Sequence, residues 1–230
     1  MRTVGVLGGM SWESTVPYYR RINRLVSERL GGLHSAKLVM ISVDFAEIEV
    51  LQSSGAWDEA GRVLADAARS LEAAGAECVV LATNTMHKVA PAIEAAITVP
   101  LIHIADAVAA EITRAELGTV GLLGTRFTME QDFYRGRLAE LHGIEALTPE
   151  AEERAFVDRV IYTELCCGII DDDSRARFRE IITGLVTRGA GGVILGCTEI
   201  PLLVSAADSP VPLFDTGEIH ARAAVEFMLT

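Results

Sequence analysis

The chain has 230 residues, half of them hydrophobic, and a formal net charge of -12 at pH 7. This length and apolar content suit one large domain or two smaller ones. The acidic balance argues against nucleic-acid binding and against anionic membrane surfaces, because both require clustered Lys and Arg. No apolar run reaches the about eighteen residues that indicate a membrane span, and the glycine-interrupted start reads as a first strand rather than a signal peptide.

The four cysteines are Cys78, Cys166, Cys167 and Cys197. Their spacing fits no zinc site, and four cysteines in a chain of this length do not form a disulfide framework. We therefore expect a reducing, cytoplasmic setting. Free cysteine is often only a small buried hydrophobe, and this interpretation suits Cys78 within its strand and the pair at 166 and 167.

Apolar strand-like runs alternate with longer helical patterns along the chain. The predicted strands cover 3–9, 36–44, 78–83, 100–106, 119–125, 192–197 and 211–216. The predicted helices lie near 15–30, 45–74, from His87 onward, up to about 116, near 129–142, within 150–188 and at the end of the chain. Repeated strand-then-helix order predicts an α/β fold, with mostly parallel sheets covered by helices on both faces.

An internal repeat accompanies this alternation. "TVGVLGG" at 3–9 and "TVGLLGT" at 119–125 agree at five of seven positions, an offset of 116. "AGAECVVLATNT" at 74–85 aligns with "RGAGGVILGCTE" at 188–199, an offset of 114. The repeat predicts two similar α/β domains related by pseudo-two-fold symmetry. The expected bounds are 1–98 plus 212–230 for the first domain and 99–211 for the second.

The repeated strands end in different chemistry, Thr83 in one half and Cys197 in the other. Ligands of open parallel sheets bind outside the carboxyl ends of the strands. If the halves are related by a two-fold axis, these two side chains face each other across a cleft. Two groups on opposite sides of one carbon suit racemisation, in which one removes the α-proton and the other delivers a proton to the opposite face.

Cysteine is a credible base for such a reaction. Its thiol has a pKa of roughly 8.5, which is lowered at a helix N-terminus. Cys197 precedes "TEIP", with Thr198 as a possible N-cap and Pro201 in the first turn. The sequence therefore predicts a lowered pKa for the Cys197 thiol.

Three motifs carry a family resemblance: "GVLGGMSWEST", "TNTMHKVA" and "LGCTEIP". Together they resemble the aspartate/glutamate racemase family of cofactor-independent amino-acid racemases, close to its broad-specificity members, over essentially the whole chain. The resemblance implies a site between two α/β domains, catalysis without pyridoxal phosphate, cofactor or metal, a small amino-acid substrate and a homodimer. It also implies paired cysteines at the positions of 83 and 197 as the two bases.

This chain departs from the family pattern at Thr83. A hydroxyl is a far weaker acid than a thiol; water, with a pKa of roughly 15.7, is a fair guide. His87, one helical turn on, either activates this hydroxyl or packs at a helix N-terminus. Cys197 alone can remove the α-hydrogen and return one to the same face. Because the resemblance implies that the second-half cysteine serves the L-enantiomer, we expect slow, L-selective α-hydrogen exchange that exceeds net racemisation.

Binding residues follow from the same strand ends. Hydroxyl, amide and backbone donors can hold an α-carboxylate, Glu199 can pair with the α-amino group, and a cation can hold a side-chain carboxylate. The candidates are Asn84, Thr85 and Thr198 for the α-carboxylate, Met10 and Gln52 for the pocket wall, and Arg126 for the cation. The second strand ends in "VDFAEIE", without the basic residue of aspartate-restricted members, which argues against strict aspartate specificity.

Three alternatives remain open at the level of sequence. "GVLGGM" gives a Gly-rich turn and Asp44 ends the second strand, as in a nucleotide-binding module, but the glycine spacing is not G-x-G-x-x-G. An amino-acid or dicarboxylate binding protein that has lost one base would carry the same fold. Maleate isomerisation or arylmalonate decarboxylation on the same scaffold would also use strand-end cysteines.

Overall fold

A computed structural model describes all 230 residues and contains two four-stranded, all-parallel sheets. The strands are β1 (Val4–Gly8), β2 (Leu38–Ser42), β3 (Cys78–Leu81), β4 (Leu101–Ile102), β5 (Thr119–Gly124), β6 (Glu145–Leu147), β7 (Val193–Gly196) and β8 (Leu213–Asp215). The order is β2-β1-β3-β4 in the first sheet and β6-β5-β7-β8 in the second. The predicted α/β class with two similar sheets is confirmed.

Eleven α-helices connect and cover these strands. They are α1 (Trp12–Leu30), α2 (Phe45–Ser53), α3 (Trp57–Ala73), α4 (Ala90–Glu94), α5 (Ile104–Arg114), α6 (Arg126–Glu130), α7 (Asp132–His142), α8 (Ala151–Thr163), α9 (Asp172–Thr187), α10 (Ile200–Leu203) and α11 (Thr216–Leu229). Three short 3₁₀ helices span Thr85–Val89, Leu165–Cys167 and Ala206–Asp208. None of the helices has both the length and the apolar composition required to cross a bilayer.

The chain divides into two compact units that each contain one sheet. The first unit comprises Met1–Ile104 and His220–Thr230, and the second comprises Ala105–Ile219. These bounds differ from 1–98 plus 212–230 and 99–211, because β4 pairs with β3 and β8 pairs with β7. Each sheet therefore keeps its own fourth strand, and the chain passes from one unit to the other only after the last strand of each sheet.

Both units pair their central strands in the same register. Gly5 lies opposite Val79 in the first sheet, and Gly121 lies opposite Val193 in the second. These pairs are related by the offsets of 116 and 114 that the sequence repeat gives. The edge strand β6 was not predicted, because it has only three residues and two of them are not buried.

The central strands β1 and β3 of the first sheet are apolar and buried on both faces, whereas the edge strands β2 and β4 are only partly covered. Val4, Val6 and Val80 pack against α1 and α11, whereas Val79 and Leu81 pack against α2, α3 and the 3₁₀ helix at 85–89. In the second unit, the face of Val193 and Leu195 packs against α8 and α9. Alternating side chains on two covered faces explain why these strands read as continuous hydrophobic runs.

Candidate active site

Thr83 and Cys197 occupy equivalent places at the carboxyl ends of β3 and β7. Thr83 lies two residues after Leu81, and Cys197 lies two residues after Leu195. Cys197 packs in the hydrophobic cluster that contains Val193 and Leu195. Both are buried, with 6% and 8% of their surfaces exposed. The folding of the repeat therefore places a hydroxyl and a thiol at the same point of two equivalent sheets.

The predicted site residues of the first unit gather around this strand end. Asn84 and Thr85 are buried beside Thr83. Gln52, buried on α2, places its amide nitrogen 2.9 Å from the sulfur of Met86 in the adjoining 3₁₀ helix. Met10 follows β1 and belongs to the same hydrophobic cluster as Met86.

The turn after β1 is shaped by a glycine that no other residue could replace without strain. Gly9 has φ +95°, and a Cβ at this position would lie 2.3 Å from the carbonyl oxygen of Val43. Its amide donates a hydrogen bond of 2.9 Å to the hydroxyl of Thr15 on α1. The close approach of this turn to the end of β2 positions Met10 beside the strand ends.

His87 contacts the backbone of Thr83, not its hydroxyl. The Nδ1 atom lies 2.7 Å from the Thr83 carbonyl oxygen, and the ring is almost completely buried. Of the two roles open from the sequence, this geometry favours packing at the start of the helix over activation of the hydroxyl.

The second unit supplies the predicted group Cys197, Thr198 and Glu199, all buried. The Cys197 thiol donates a hydrogen bond of 2.8 Å to Oε2 of Glu199. The Thr198 hydroxyl donates to the same oxygen over 3.2 Å. Glu199 therefore accepts from its two neighbours, so that its carboxylate is built into the site beside the sulfur.

The expected lowering of the Cys197 pKa is not found. Burial raises the pKa of this thiol well above its usual value, and the negative charge of Glu199 raises it further. The helix that follows has only four residues and begins at Ile200, with Glu199 rather than Thr198 at the N-cap position. Burial and the charge of Glu199 raise the pKa of the thiol more than so short a helix can lower it. The thiol of the free protein is therefore protonated at neutral pH.

Cys166 belongs to the surroundings of Cys197, which the sequence did not indicate. It packs against the hydrophobic cluster that contains Cys197, and its charged form would raise the pKa of Cys197. The two residues are 31 positions apart, on different elements, so only the folded chain brings them together.

Arg126 lies at the N-terminus of α6, after the end of β5, and its side chain is exposed. The guanidinium stacks over the ring of Phe127, 5.0 Å from its centroid. Its backbone N–H donates a hydrogen bond of 2.7 Å to Asp158 on α8. Burial raises the pKa of Asp158, while this hydrogen bond opposes the rise. No sequence motif had singled out Asp158.

Comparisons with known proteins place this geometry in a family. The model of the Asp/Glu/hydantoin racemase family matches residues 7–224. The broad-specificity amino-acid racemase RacX of Bacillus subtilis is 21% identical over 237 residues, which cover 98% of this chain and 98% of that protein.

Two crystal structures are similar over the full length of both chains. A candidate Asp/Glu racemase from Yersinia pestis is 57% identical, with a TM-score of 0.94 and 100% of each chain covered. An aspartate racemase homologue from Pyrococcus horikoshii is 36% identical, with a TM-score of 0.86 and the same coverage. Two parallel sheets with equivalent strand ends, and a family match over nearly the whole sequence, lead to one conclusion: the chain belongs to the Asp/Glu/hydantoin racemase family.

Proposed function

We propose that this protein is an amino-acid racemase that needs no cofactor, in which Cys197 is the competent base and Thr83 replaces the second one. The observation that carries the proposal is the hydrogen bond of 2.8 Å from the Cys197 thiol to Glu199. A carboxylate that is hydrogen-bonded to a buried thiol can accept the thiol proton. A thiol must lose this proton before it can act as a base.

The reaction begins with transfer of the Cys197 proton to the Glu199 carboxylate. The thiolate then takes the α-hydrogen of the amino acid, and the electron pair of the broken C–H bond moves into the adjacent carboxylate. Return of a hydrogen from sulfur to the same face regenerates the original enantiomer. In heavy water the returned hydrogen is deuterium, because thiol and carboxylic acid protons exchange with solvent.

Binding of the substrate lowers the raised pKa of Cys197. Burial and the negative charge of Glu199 disfavour the thiolate in the free protein. An α-ammonium group brought next to Glu199 places a positive charge beside the sulfur, and an opposite charge at close range lowers a thiol pKa. The base is thus activated only when an amino acid is bound.

Acidic amino acids are the proposed substrate class. Asn84 and Thr85 supply donors for the α-carboxylate, and Thr198, whose hydroxyl donates to Glu199, supplies its backbone N–H. Arg126, exposed at the end of β5, supplies a cation for a side-chain carboxylate. The family names of the relatives, Asp/Glu racemase and aspartate racemase homologue, support the same class.

Because of Thr83, we expect the proposed enzyme to act differently on the L- and D-enantiomers of its substrate. The residue of the first unit that is equivalent to Cys197 carries a hydroxyl instead of a thiol, and His87 contacts the Thr83 backbone instead of accepting the hydroxyl proton. A carbanion is therefore reprotonated mainly from the Cys197 face. L-selective hydrogen exchange exceeding net racemisation is the expected outcome.

Proton NMR in heavy water tests this proposal. The α-proton signals of L- and D-glutamate, L- and D-aspartate and L-alanine are followed with wild type, Cys197→Ser and the control Cys167→Ser, whose thiol is exposed. We expect exchange of L-glutamate or L-aspartate with wild type and Cys167→Ser, and a loss of about 10³-fold in Cys197→Ser, within the usual contribution of an acid–base group.

Two results would contradict the proposal. Exchange that survives Cys197→Ser would show that another group is the base. An acidic amino acid could instead raise the melting temperature without any exchange of its α-hydrogen. This result would favour the alternative that the chain is a binding protein, which Thr83 in place of a cysteine suggests.

A further inference from the structure

His87 is almost completely buried, yet each of its ring nitrogens has a backbone partner. The backbone N–H of Ile104 donates to Nε2 over 3.2 Å. An imidazole nitrogen that accepts from an amide carries no proton, so the proton of the neutral ring is on Nδ1. Nδ1 therefore donates to the carbonyl oxygen of Thr83, at 2.7 Å. The hydrogen bonds assign one neutral tautomer to His87.

The surroundings of His87 favour this neutral form. The ring of His103 lies 4.5 Å away, centroid to centroid, and that of His220 lies 5.9 Å away. His220 accepts from the hydroxyl of Tyr18 and donates to the carbonyl of Ile102, and burial lowers its pKa to about 4. Several charged imidazoles could not coexist in so small a buried volume. His87 thus acts through fixed hydrogen bonds and not through proton transfer.

The two partners of His87 lie beyond the ends of neighbouring strands. Thr83 follows β3, and Ile104 follows β4, which pairs with β3 in parallel. His87 therefore bridges two adjacent strand ends of the first sheet. A bridge of this kind restricts the backbone of the turn that carries Thr83 and Asn84.

The restriction reaches the candidate binding groups through peptide geometry. The carbonyl of Thr83 and the N–H of Asn84 belong to one planar, trans peptide unit, so they point in opposite directions. Fixing the carbonyl toward His87 consequently fixes the N–H of Asn84 away from it. The same bond determines the orientation of an amide donor at the carboxyl edge of the sheet.

We propose that His87 is a positioning residue, which orients the Thr83–Asn84 peptide so that its N–H binds the α-carboxylate of the substrate. This inference rests on the proposed function, because it takes residues 83–85 as part of the amino-acid site. Loss of the bond weakens ground-state binding. KM for the exchange reaction then rises by about tenfold, the effect of one hydrogen bond, while kcat changes little.

Three substitutions separate the two hydrogen bonds of His87. The amide nitrogen of Asn can take the place of Nδ1, so His87→Asn retains the donor to Thr83 and loses the acceptor for Ile104. His87→Gln reaches the acceptor position near Ile104 and displaces the donor. His87→Leu loses both, and His34→Asn, at an exposed position, serves as the matched control.

Steady-state α-deuterium exchange on an acidic L-amino acid, together with melting temperatures, gives the test. We expect the KM of His87→Asn to stay close to that of wild type and of His34→Asn, and the KM of His87→Gln and His87→Leu to rise by about tenfold. If His87→Leu does not fold, the contrast between Asn and Gln still decides, because both variants retain an amide.

Two outcomes overturn the proposal. A fall in kcat at constant KM, shared by Asn and Leu, would make His87 a proton-transfer group. An unchanged KM in all three variants, with only the melting temperature lowered, would make it a structural residue. Should wild type show no exchange at all, the proposed function fails, and calorimetric titration of L-glutamate into wild type and His87→Leu tests the positioning role alone, with about tenfold weaker binding expected in the variant.

Discussion

The two strand ends, at β3 and at β7, share their fold and differ in their chemistry. The register Gly5–Val79 in the first sheet is repeated as Gly121–Val193 in the second. Beyond the strands, Cys197 meets the carboxylate of Glu199, whereas the equivalent residue two positions after Thr83 is Thr85. A duplicated scaffold thus presents different side chains at two equivalent strand ends.

Restoring the thiol in the first half tests this comparison most severely. Thr83→Cys places a thiol, which is a far stronger acid than a hydroxyl, at the end of β3. We expect net formation of the D-enantiomer from an acidic L-amino acid to rise by about 10²- to 10³-fold, within the range of one acid–base group. Chiral chromatography measures the product.

Thr83→Ser is the matched control for this change, because it retains a hydroxyl and leaves racemisation low. If Thr83→Cys binds substrate and still gains nothing, the difference between the halves does not reside in this side chain.

A second contrast concerns two buried tyrosines, Tyr18 on α1 and Tyr134 on α7, which are separated by the same offset of 116 as the first repeat. Tyr18 donates to Nδ1 of His220 over 3.0 Å, whereas the hydroxyl of Tyr134 is buried without a hydrogen-bond partner. Burial lowers the pKa of His220 from 6.5 to about 4. Because the unfolded chain binds the proton more readily, stability is full above the unfolded pKa and falls as the pH drops from 6.5 toward 4, by on the order of 3 kcal/mol.

Urea denaturation at about pH 7 and about pH 4.5 measures this loss against His220→Gln. The variant should lose less stability than wild type over the same interval, since Gln does not titrate. Equal losses in the two proteins would place the pH dependence elsewhere.

Glu199→Gln separates two effects of the carboxylate on Cys197. Removing the negative charge lowers the pKa of the thiol, so that alkylation of Cys197 by iodoacetamide accelerates in the free protein. Removing the proton acceptor slows α-hydrogen exchange by about 10²-fold, at the lower end of acid–base effects. Mass spectrometry of the alkylated peptide and NMR exchange rates give the two measurements. Parallel changes in both rates would contradict a role for Glu199 as proton acceptor.

The smallest effect concerns two equivalent glycines, Gly5 in the first sheet and Gly121 in the second. A Cβ on Gly5 would lie 2.9 Å from that of Ala76 and 3.2 Å from the carbonyl of Cys78, both rigid. A Cβ on Gly121 would lie 2.9 Å from the end of the Leu185 side chain, which can rotate. We expect Gly5→Ala to cost about 2 kcal/mol and Gly121→Ala about 1 kcal/mol in urea denaturation. A reversed order would show that the second sheet is the less adaptable one.

The sequence predicted the features that repeat and missed those that depend on distant contacts. Apolar runs and the offsets of 116 and 114 gave the α/β class, the duplicated sheets and the equivalence of Thr83 with Cys197. The three-residue strand β6 was missed because a short, exposed edge strand carries no periodic signal. The chain also passes from one unit to the other later than predicted, after residues 104 and 219. The reason is that β4 and β8 pair within the sheets that precede them, and composition does not reveal this pairing.

The electrostatics of the site were beyond the sequence for a physical reason. A strand-to-helix step predicted a lowered pKa for Cys197, but burial and Glu199 raise it, and both depend on the folded surroundings. His87 appeared as a possible activator because of its spacing from Thr83. Only the position of Ile104, 17 residues further on, fixes the tautomer that directs its proton to a backbone carbonyl.

The path of the chain between the units also bears on how the protein is made. Residues 105–219 are contiguous and emerge from the ribosome as one block, ready to form their sheet and core. The core beneath β1, in contrast, includes Ala221, Ala224, Val225 and Met228 from α11. The half that is translated first is therefore the half completed last, because its apolar face is covered only after α11 has been synthesised.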